Sequence, residues 1–496
     1  MKSRKIEDII NTVENILNEV HQDQKKELYH INHVHEAHQK SATNLINYLS
    51  LRSHDICDLQ RKLGYLGMSR LARAEAHTEA SLKSTLFYLH RLIGQEYHMP
   101  TKFTLSIKRS EKLLAQNTQN LLGDAHSNRR LRVMVTIPEN ASKDEFMVDQ
   151  MVTQGMDVAR INCAHDGPET WLKMIQNVKR ASEKFGREVV ISMDIGGPKI
   201  RTGQVGHSLM LNTDDLVILS RLPLIGHPAR YDEQGLIIER AKISCTLPEV
   251  FDYLKAGDIA YFDDGIIKGI IEELDDRQAL IKITRTAIGG SKLKADKGIN
   301  FPDSKLKIHG LTEQDRVNLK FIAKHADVVN FSFVNTPEDV KEIHNELKKL
   351  DAFERLGIIY KIETQLAYDN LTMILLEAMK GQKIGVMIAR GDLAIEAGWK
   401  RMGSIQKEML AICNACHIPV VWATQVLENL AKRGLPSRSE ITDAVNAAKA
   451  DCIMLNKGPH IIKAIQLLDQ IIESAESFQD KNAPMLPKLT RLSAVL

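Results

Sequence analysis

From Leu131 onward the chain alternates short, almost wholly apolar runs with longer amphipathic segments. The runs are RVMVTI (132–137), MDVARIN (156–162), EVVISM (188–193), DVVNFSF (327–333), GIIYKIE (357–363), IGVMIA (384–389), IPVVWAT (418–424) and CIML (452–455). Runs that are apolar at both parities read as strands buried on both faces, as in a parallel sheet. Each run except the last precedes an amphipathic segment of helix length, and the last leads into IIKAIQLLDQIIESA. This rhythm predicts an α/β chain with a (β/α)8 TIM barrel over 126–203 and 302–482. A doubly wound sheet accommodates eight such units less economically.

Two stretches break the rhythm. Over 1–125 strand-like alternation is nearly absent. Ile6, Ile9, Ile10, Val13, Ile16, Leu17 and Val20 recur at helical spacing, and helical patterning returns through about 58–75 and 78–95. An N-terminal all-α domain, expected to form a bundle, follows from this pattern. Over 204–301, short alternating runs (LVILS, LIIER, IAYF, ALIKITRT) are separated by Gly and Asp turns, which predicts an inserted small β-barrel domain. The segment 483–496 reads as a C-terminal tail.

Composition narrows the classes. Charged residues make up 26% of the chain and AVILMFWYC 43%, with a formal net charge of +3, which gives no case for nucleic-acid or membrane binding. No apolar run reaches the roughly 18 residues a membrane span needs. The segment MKSRKIEDII lacks the apolar core of a secretory signal, so a cytoplasmic location is expected. Cys57, Cys163, Cys245, Cys413, Cys416 and Cys452 are scattered, as in a reduced compartment. Cys413-Asn414-Ala415-Cys416-His417 matches a haem-attachment pattern, but it joins an apolar helix to an apolar strand and reads as buried structure. His30, His33, His35 and His38 read as a solvated helix face rather than a metal site.

In a barrel of this kind, chemistry comes from the C-terminal ends of the strands. Those positions carry Thr136, Arg160 with Asn162, Asp194, Ser332, Lys361 with Glu363, Arg390 with Asp392, Thr424 and Asn456. Three carboxylates, two arginines and a lysine at one mouth are costly to bury without a counterpart; a divalent cation and a phosphorylated anion supply one. Lys361 and Glu363 lie two apart on a strand, so both face the same side. Asp392 follows a small-residue turn that opens a helix, where backbone amides can hold a carboxylate or phosphate. Asp194 leads into the turn GGPKIRTG. A structural ion pair explains any one of these residues, but the set on successive strands less well.

These segments carry a resemblance. MDIGGPKIRTG (193–203) resembles the third-strand signature of pyruvate kinases, ARINCAH (159–165) their ARLNFSH, FDDG (262–265) their DDG, and KGINFP (297–302) their return to the barrel. IIYKIE (358–363), MIARGDLAIE (387–396), PVVWATQVLENL (419–430), LPSRSEITDAVNA (435–447) and ADCIML (450–455) are similar to the family's later motifs in the same order. The resemblance covers about 130–480, and motifs this long in the right order are specific.

The resemblance implies a phosphotransferase: phosphoenolpyruvate plus ADP gives pyruvate plus ATP. Lys361, Thr424 and Arg160 become the catalytic set; Lys361, Gly391, Asp392, Thr424 and Ser332 the substrate-binding set. Glu363 and Asp392 become ligands of Mg2+ (or Mn2+), and Asn162, His165 and Arg201 lie beside the nucleotide phosphates. The β insertion becomes a lid. A homo-oligomer is implied, with neither nucleic acid nor membrane as partner.

Departures qualify it. The family's monovalent-cation position keeps Asn162 and Asp194, but Ala164 and Ile195 replace its hydroxyl residues, while Lys199 stands where the family commonly has glutamate. Lys199 is therefore expected to replace K+, which activity should not require. TIPENAS (136–142) and NKGPH (456–460) depart from the family on the nucleotide side. The family's C-terminal domain has no counterpart in the resemblance, so sugar-bisphosphate regulation at the usual site is not expected, and the helical domain becomes the candidate oligomer interface or a partner-binding surface. Two other classes stay open: a non-catalytic phosphoenolpyruvate or nucleotide sensor, and another metal-dependent enolate enzyme such as a lyase or aldolase.

Overall fold

Eight parallel strands close on themselves: β1 (Arg132–Thr136), β2 (Val158–Asn162), β3 (Val190–Asp194), β4 (Val328–Phe331), β5 (Gly357–Ile362), β6 (Ile384–Ala389), β7 (Val420–Ala423) and β8 (Cys452–Leu455), with β1 pairing both β2 and β8. The structure is a computed structural model that describes residues 2–99, 103–126, 129–306, 308, 310–480 and 483–484; most of the expected tail lies outside the described residues. Every run read as a strand forms one. The seventh is shorter at both ends than its apolar run, because His417 and Thr424 take positive φ values of 55° and 64°.

Strand parity divides the core in two. Met134, Val158, Val190, Val328, Ile359, Met387, Val421, Cys452 and Met454 fill the barrel interior. Their neighbours, among them Tyr360 and Trp422, pack outward against the helices. This two-residue alternation with both faces buried is why the runs look continuously apolar.

The lower end of the barrel is closed by the helix Ile107–Leu122, whose last residues, Leu121 and Leu122, join the interior cluster. A Cβ added at Gly357 would lie 2.6 Å from Leu121 Cδ1, and one at Gly385 would lie 2.5 Å from Leu121 Cδ2. Strands five and six thus carry glycine where the plug enters.

The N-terminal region is helical. Helix Lys2–Lys26 buries Ile9, Ile10, Val13, Ile16, Leu17 and Val20, the stripe its periodicity predicts. The patterning over 58–75 becomes helix only at Cys57–Tyr65, after which Gly67 and Leu71 take positive φ values of 70° and 56°. Helix Gln39–Arg52 shows no clear stripe because it is buried nearly all round, from Ser41 to Tyr48.

Its polar residues dock the region onto the barrel. Asn44 donates to the carbonyls of Glu75 (2.7 Å) and Ala415 (2.8 Å), while its carbonyl accepts the Thr78 amide at 3.0 Å. Ser41 Oγ meets His417 Nδ1 at 3.1 Å, and Nε2 of that ring meets the Ala76 carbonyl at 2.9 Å. His38, read from sequence as solvated, is instead buried and bonds the Gln382 carbonyl at 3.0 Å. The Cys413 and Cys416 side chains are buried beside this interface, so the haem-like pattern is part of the core.

The insertion folds around its own apolar cluster as a six-stranded sheet with two-stranded ribbons, one pairing Leu209–Leu211 with Ser291–Leu293. At the root an isolated bridge, Arg201↔Gly298, ties its two connecting segments together, and a second, Thr202↔Cys245, ties the first segment to the insertion. Among the described residues, no helix is long and apolar enough to cross a membrane.

Candidate active site

The interior parity that is apolar at the bottom of the barrel becomes polar at the top. Met134 leads to Thr136, Val158 to Arg160 and Asn162, Val190 to Ser192 and Asp194, Val328 to Asn330 and Ser332, and Ile359 to Lys361 and Glu363. Register then sets Asn162 beside Asp194, and Asp194 beside Asn330. Charged side chains are gathered at the C-terminal mouth because the strands tilt and stagger together.

Asp194 is the hub. Arg160 grips it through two parallel bonds, Nε at 2.9 Å and Nη2 at 2.6 Å, and donates from Nη1 to Thr136 Oγ1 at 2.9 Å. Asn330 donates to Asp194 Oδ1 and is itself held by the Ser192 hydroxyl. Lys361 Nζ lies 3.3 Å from Asp194, 3.2 Å from Glu363 and 2.7 Å from Ser332 Oγ. The Ser332 hydroxyl in turn donates to the Ile195 carbonyl at 2.8 Å. The Phe333 amide donates to Glu363 Oε2 at 2.7 Å.

These contacts decide the charge states. Burial alone would raise Asp194, but the Arg160 guanidinium and Lys361 ammonium outweigh it and hold its pKa down at about 2. Burial alone would discharge Lys361, yet Glu363 and Asp194 keep it protonated with a raised pKa. Burial pushes Glu363 up against the pull of Lys361, and the charge of Asp392 pushes the same way.

Lys199 departs from expectation. Its ammonium was expected beside Asn162 and Asp194, but it sits on Asp392, 2.9 Å from Oδ1 and 3.0 Å from Oδ2. The reason is local: Asp194 already holds two fixed cations, whereas Asp392 otherwise faces the mouth without one. Arg160, Lys361 and Lys199 then balance Asp194, Glu363 and Asp392. A mouth of zero net fixed charge accepts a cation and an anion together more readily than either alone.

Thr424 occupies a strained backbone position, and Gln425 and Leu427 beside it also have positive φ, 58° and 46°. Arg390 holds this turn: Nε donates to the Ala423 carbonyl at 2.9 Å, Nη2 to the Thr424 carbonyl, and Nη1 to Asp443 at 2.6 Å. Its guanidinium carbon lies 4.8 Å from the Trp422 ring centroid. The Gly391 amide donates to Thr424 Oγ1 at 3.0 Å, which joins directly two residues that the sequence assigns to substrate.

The residues assigned to the nucleotide are less concentrated. Asn162 Oδ1 accepts the Ala164 amide at 3.1 Å, His165 is exposed, and Arg201 donates to the Asp296 carbonyl at 3.1 Å in the root of the insertion. Asn330, Asp443 and the Asn300–Glu396 pair (2.8 Å) were not singled out from sequence. An asparagine inside the otherwise apolar run DVVNFSF was the available signal for the first. Burial raises Glu396 to about 7, so this link between the root of the insertion and the helix that carries Asp392 holds a carboxyl that is only partly ionised near neutral pH.

Glu363 and Asp392 are oxygen donors close enough to feel each other's charge. Among the described residues no group of three or more His, Cys, Asp or Glu gathers as a metal cluster. Two carboxylates with the remaining positions left to substrate and water oxygens suit Mg2+ or Mn2+ and not a closed zinc site, so the donor set fits the expected metal.

Comparison with known proteins agrees with this geometry. The family model described as "Pyruvate kinase, barrel domain" matches residues 128–459. A pyruvate kinase of Geobacillus stearothermophilus is 32% identical over 352 residues, covering 69% of this chain and 56% of that protein. A pyruvate kinase of Staphylococcus aureus (strain USA300) is 29% identical over 360 residues, 71% of this chain and 58% of the relative. The chain thus spans little more than half the length of these curated relatives. With a family match across most of the chain and the motifs converging on one barrel mouth, the chain belongs to the pyruvate kinase family.

Proposed function

We propose that the chain transfers the phosphoryl group of phosphoenolpyruvate to ADP, forming pyruvate and ATP. The observation that carries this reading is Lys361, a buried ammonium braced by Asp194, Glu363 and Ser332 beside the Arg160 guanidinium. Phosphoryl transfer needs preorganised positive charge around the migrating group, and these two cations are fixed before substrate arrives. Glu363 and Asp392 would hold Mg2+ or Mn2+, and the bound ion would supply Lewis-acid stabilisation of developing negative charge. Lys361 stabilises the developing enolate, and Arg160 orients the phosphoryl oxygens. Thr424 Oγ1 accepts the Gly391 amide, which leaves the hydroxyl proton for relay toward the enolate carbon. The insertion closes over the mouth and excludes water, so the phosphoryl group goes to nucleotide and not to solvent.

K+ is not required in this reading, because fixed ammonium and guanidinium groups already neutralise the mouth. The test is pyruvate formation by purified protein with phosphoenolpyruvate, ADP and Mg2+, with and without K+. Lys361→Met is expected to lower kcat about 10³-fold or more while the protein still folds. A rate that rises many-fold with K+ would overturn the K+ claim. Tight ligand binding with no turnover for any nucleoside diphosphate would replace the enzyme reading with a sensor.

A further inference from the structure

On the outer wall of the barrel, remote from the mouth, lies a cleft of about 290 Å³ between the helices Pro337–Lys349 and Leu371–Ala378. Lys341, His344, Asn345, Lys348, Phe353, Glu377 and Lys380 line it. Three ammonium groups face one carboxylate there. Glu377 is paired with Lys380 at 2.8 Å, and Lys341 reaches Glu338 at 3.3 Å on the solvent side. Lys348 has no ion pair among the described residues; its ammonium lies 4.9 Å from the Phe353 ring centroid. The wall is therefore rich in donors and positive.

His344 forms the floor. It is buried, and its Nε2 meets the Tyr360 hydroxyl at 2.7 Å. Burial, with the charges of Lys348 and Lys380, lowers its pKa to about 3, so the ring is neutral. The buried Tyr360 hydroxyl has no other hydrogen-bond partner among the described residues, so it donates to Nε2 and the imidazole proton sits on Nδ1, which has no bond of its own among those residues. A ring N–H, the Asn345 amide and the lysines together suit an oxyanion of two negative charges.

We propose that this cleft binds a phosphate monoester dianion and that its occupancy is transmitted to Lys361. The route is short. Tyr360 precedes Lys361 on β5, so an anion that draws on His344 loads the strand that carries the buried ammonium. The loop beyond the second helix is gripped from the other side by the N-terminal region, through His35 to the Met379 carbonyl (2.8 Å) and His38 to the Gln382 carbonyl (3.0 Å). The coupling half of the proposal rests on the phosphotransferase reading; the binding half does not.

The test uses the full chain and glycerol 3-phosphate as probe, with glycerol as the uncharged control. Glycerol 3-phosphate is expected to slow hydrogen exchange over 337–349 and 371–383, and glycerol is not. The variant Lys348→Met with Lys380→Met should need at least tenfold more probe for the same protection, while its Mn2+ binding at the mouth stays unchanged. No protection of the cleft, or equal protection in the double variant, overturns the site. In the pyruvate assay the probe should change KM or kcat of the unaltered chain, and Tyr360→Phe should keep the protection but lose that kinetic response. Unchanged kinetics with the cleft filled overturns the coupling. A chain that forms no pyruvate at all counts against the phosphotransferase reading alone, since the exchange result still decides the site.

Discussion

Lys199 shows how one side chain can be legible in kind and not in place. Read with Ala164 against the family pattern, it is expected to stand in for a cation at the mouth, but only the fold brings it to Asp392. If Asp392 binds the metal as proposed, the Lys199 ammonium competes with the metal for that oxygen pair. Lys199→Met is therefore expected to tighten Mn2+ binding roughly three- to tenfold, on the order of 1 kcal/mol for a partly exposed pair. Electron paramagnetic resonance of free and bound Mn2+, without substrate, measures this directly. Equal affinities would mean that the ammonium moves aside at no cost. The strand-end rule found Arg160, Asp194, Lys361, Glu363, Asp392 and Thr424, because those residues are charged or polar at a place where apolar runs stop. Asp443 escaped it, since a helical aspartate is ordinary until Arg390 reaches it.

At the scale of elements, the barrel strands were the most legible feature and the plugging helix the least. A strand buried on both faces shows itself as an unbroken apolar run. The helix Ile107–Leu122 buries a stripe of Ser110, Leu114, Thr118, Leu121 and Leu122, two of them small polar residues, so its plugging role is hard to read from apolar periodicity. Gly385 and Gly357 are its complement. Gly385→Ala pushes a methyl group against Leu121 and is expected to destabilise the chain by about 1–3 kcal/mol. Leu121→Ala alone should cost about 2–4 kcal/mol through the cavity it leaves. Combined, the two should cost clearly less than their sum, since each relieves the other's defect. Denaturant unfolding of the four proteins in the cycle tests this, and strict additivity would separate Leu121 from the glycine.

At the scale of the whole molecule, the N-terminal helices are fastened to the barrel by buried polar groups and not only by apolar surface. Asn44 satisfies two carbonyls and one amide, from the segment Glu75–Thr78 and from Ala415. Asn44→Leu would leave those groups buried without partners, at a cost of about 2–4 kcal/mol. It should loosen the region as a unit, seen as faster hydrogen exchange over 39–52 and 75–92 with β1 to β8 unchanged. Exchange that stays slow there would assign the docking to the apolar contacts. The same contacts mean that this face of the helical region is already occupied by its own barrel.

The order of apolar runs and amphipathic helices determined the barrel, because a strand covered on both sides must be apolar at both parities whatever its neighbours are. Motif residues at the ends of those runs determined that the mouth would be charged. The tertiary structure alone decided which charge meets which. Lys361 on Asp194 and Glu363, Lys199 on Asp392, and Arg390 on Asp443 join residues from different strands, turns and helices. Pairing across such distances depends on strand register and on how the helices and turns pack around the barrel mouth, and those are properties of the packed barrel, not of any local run of residues.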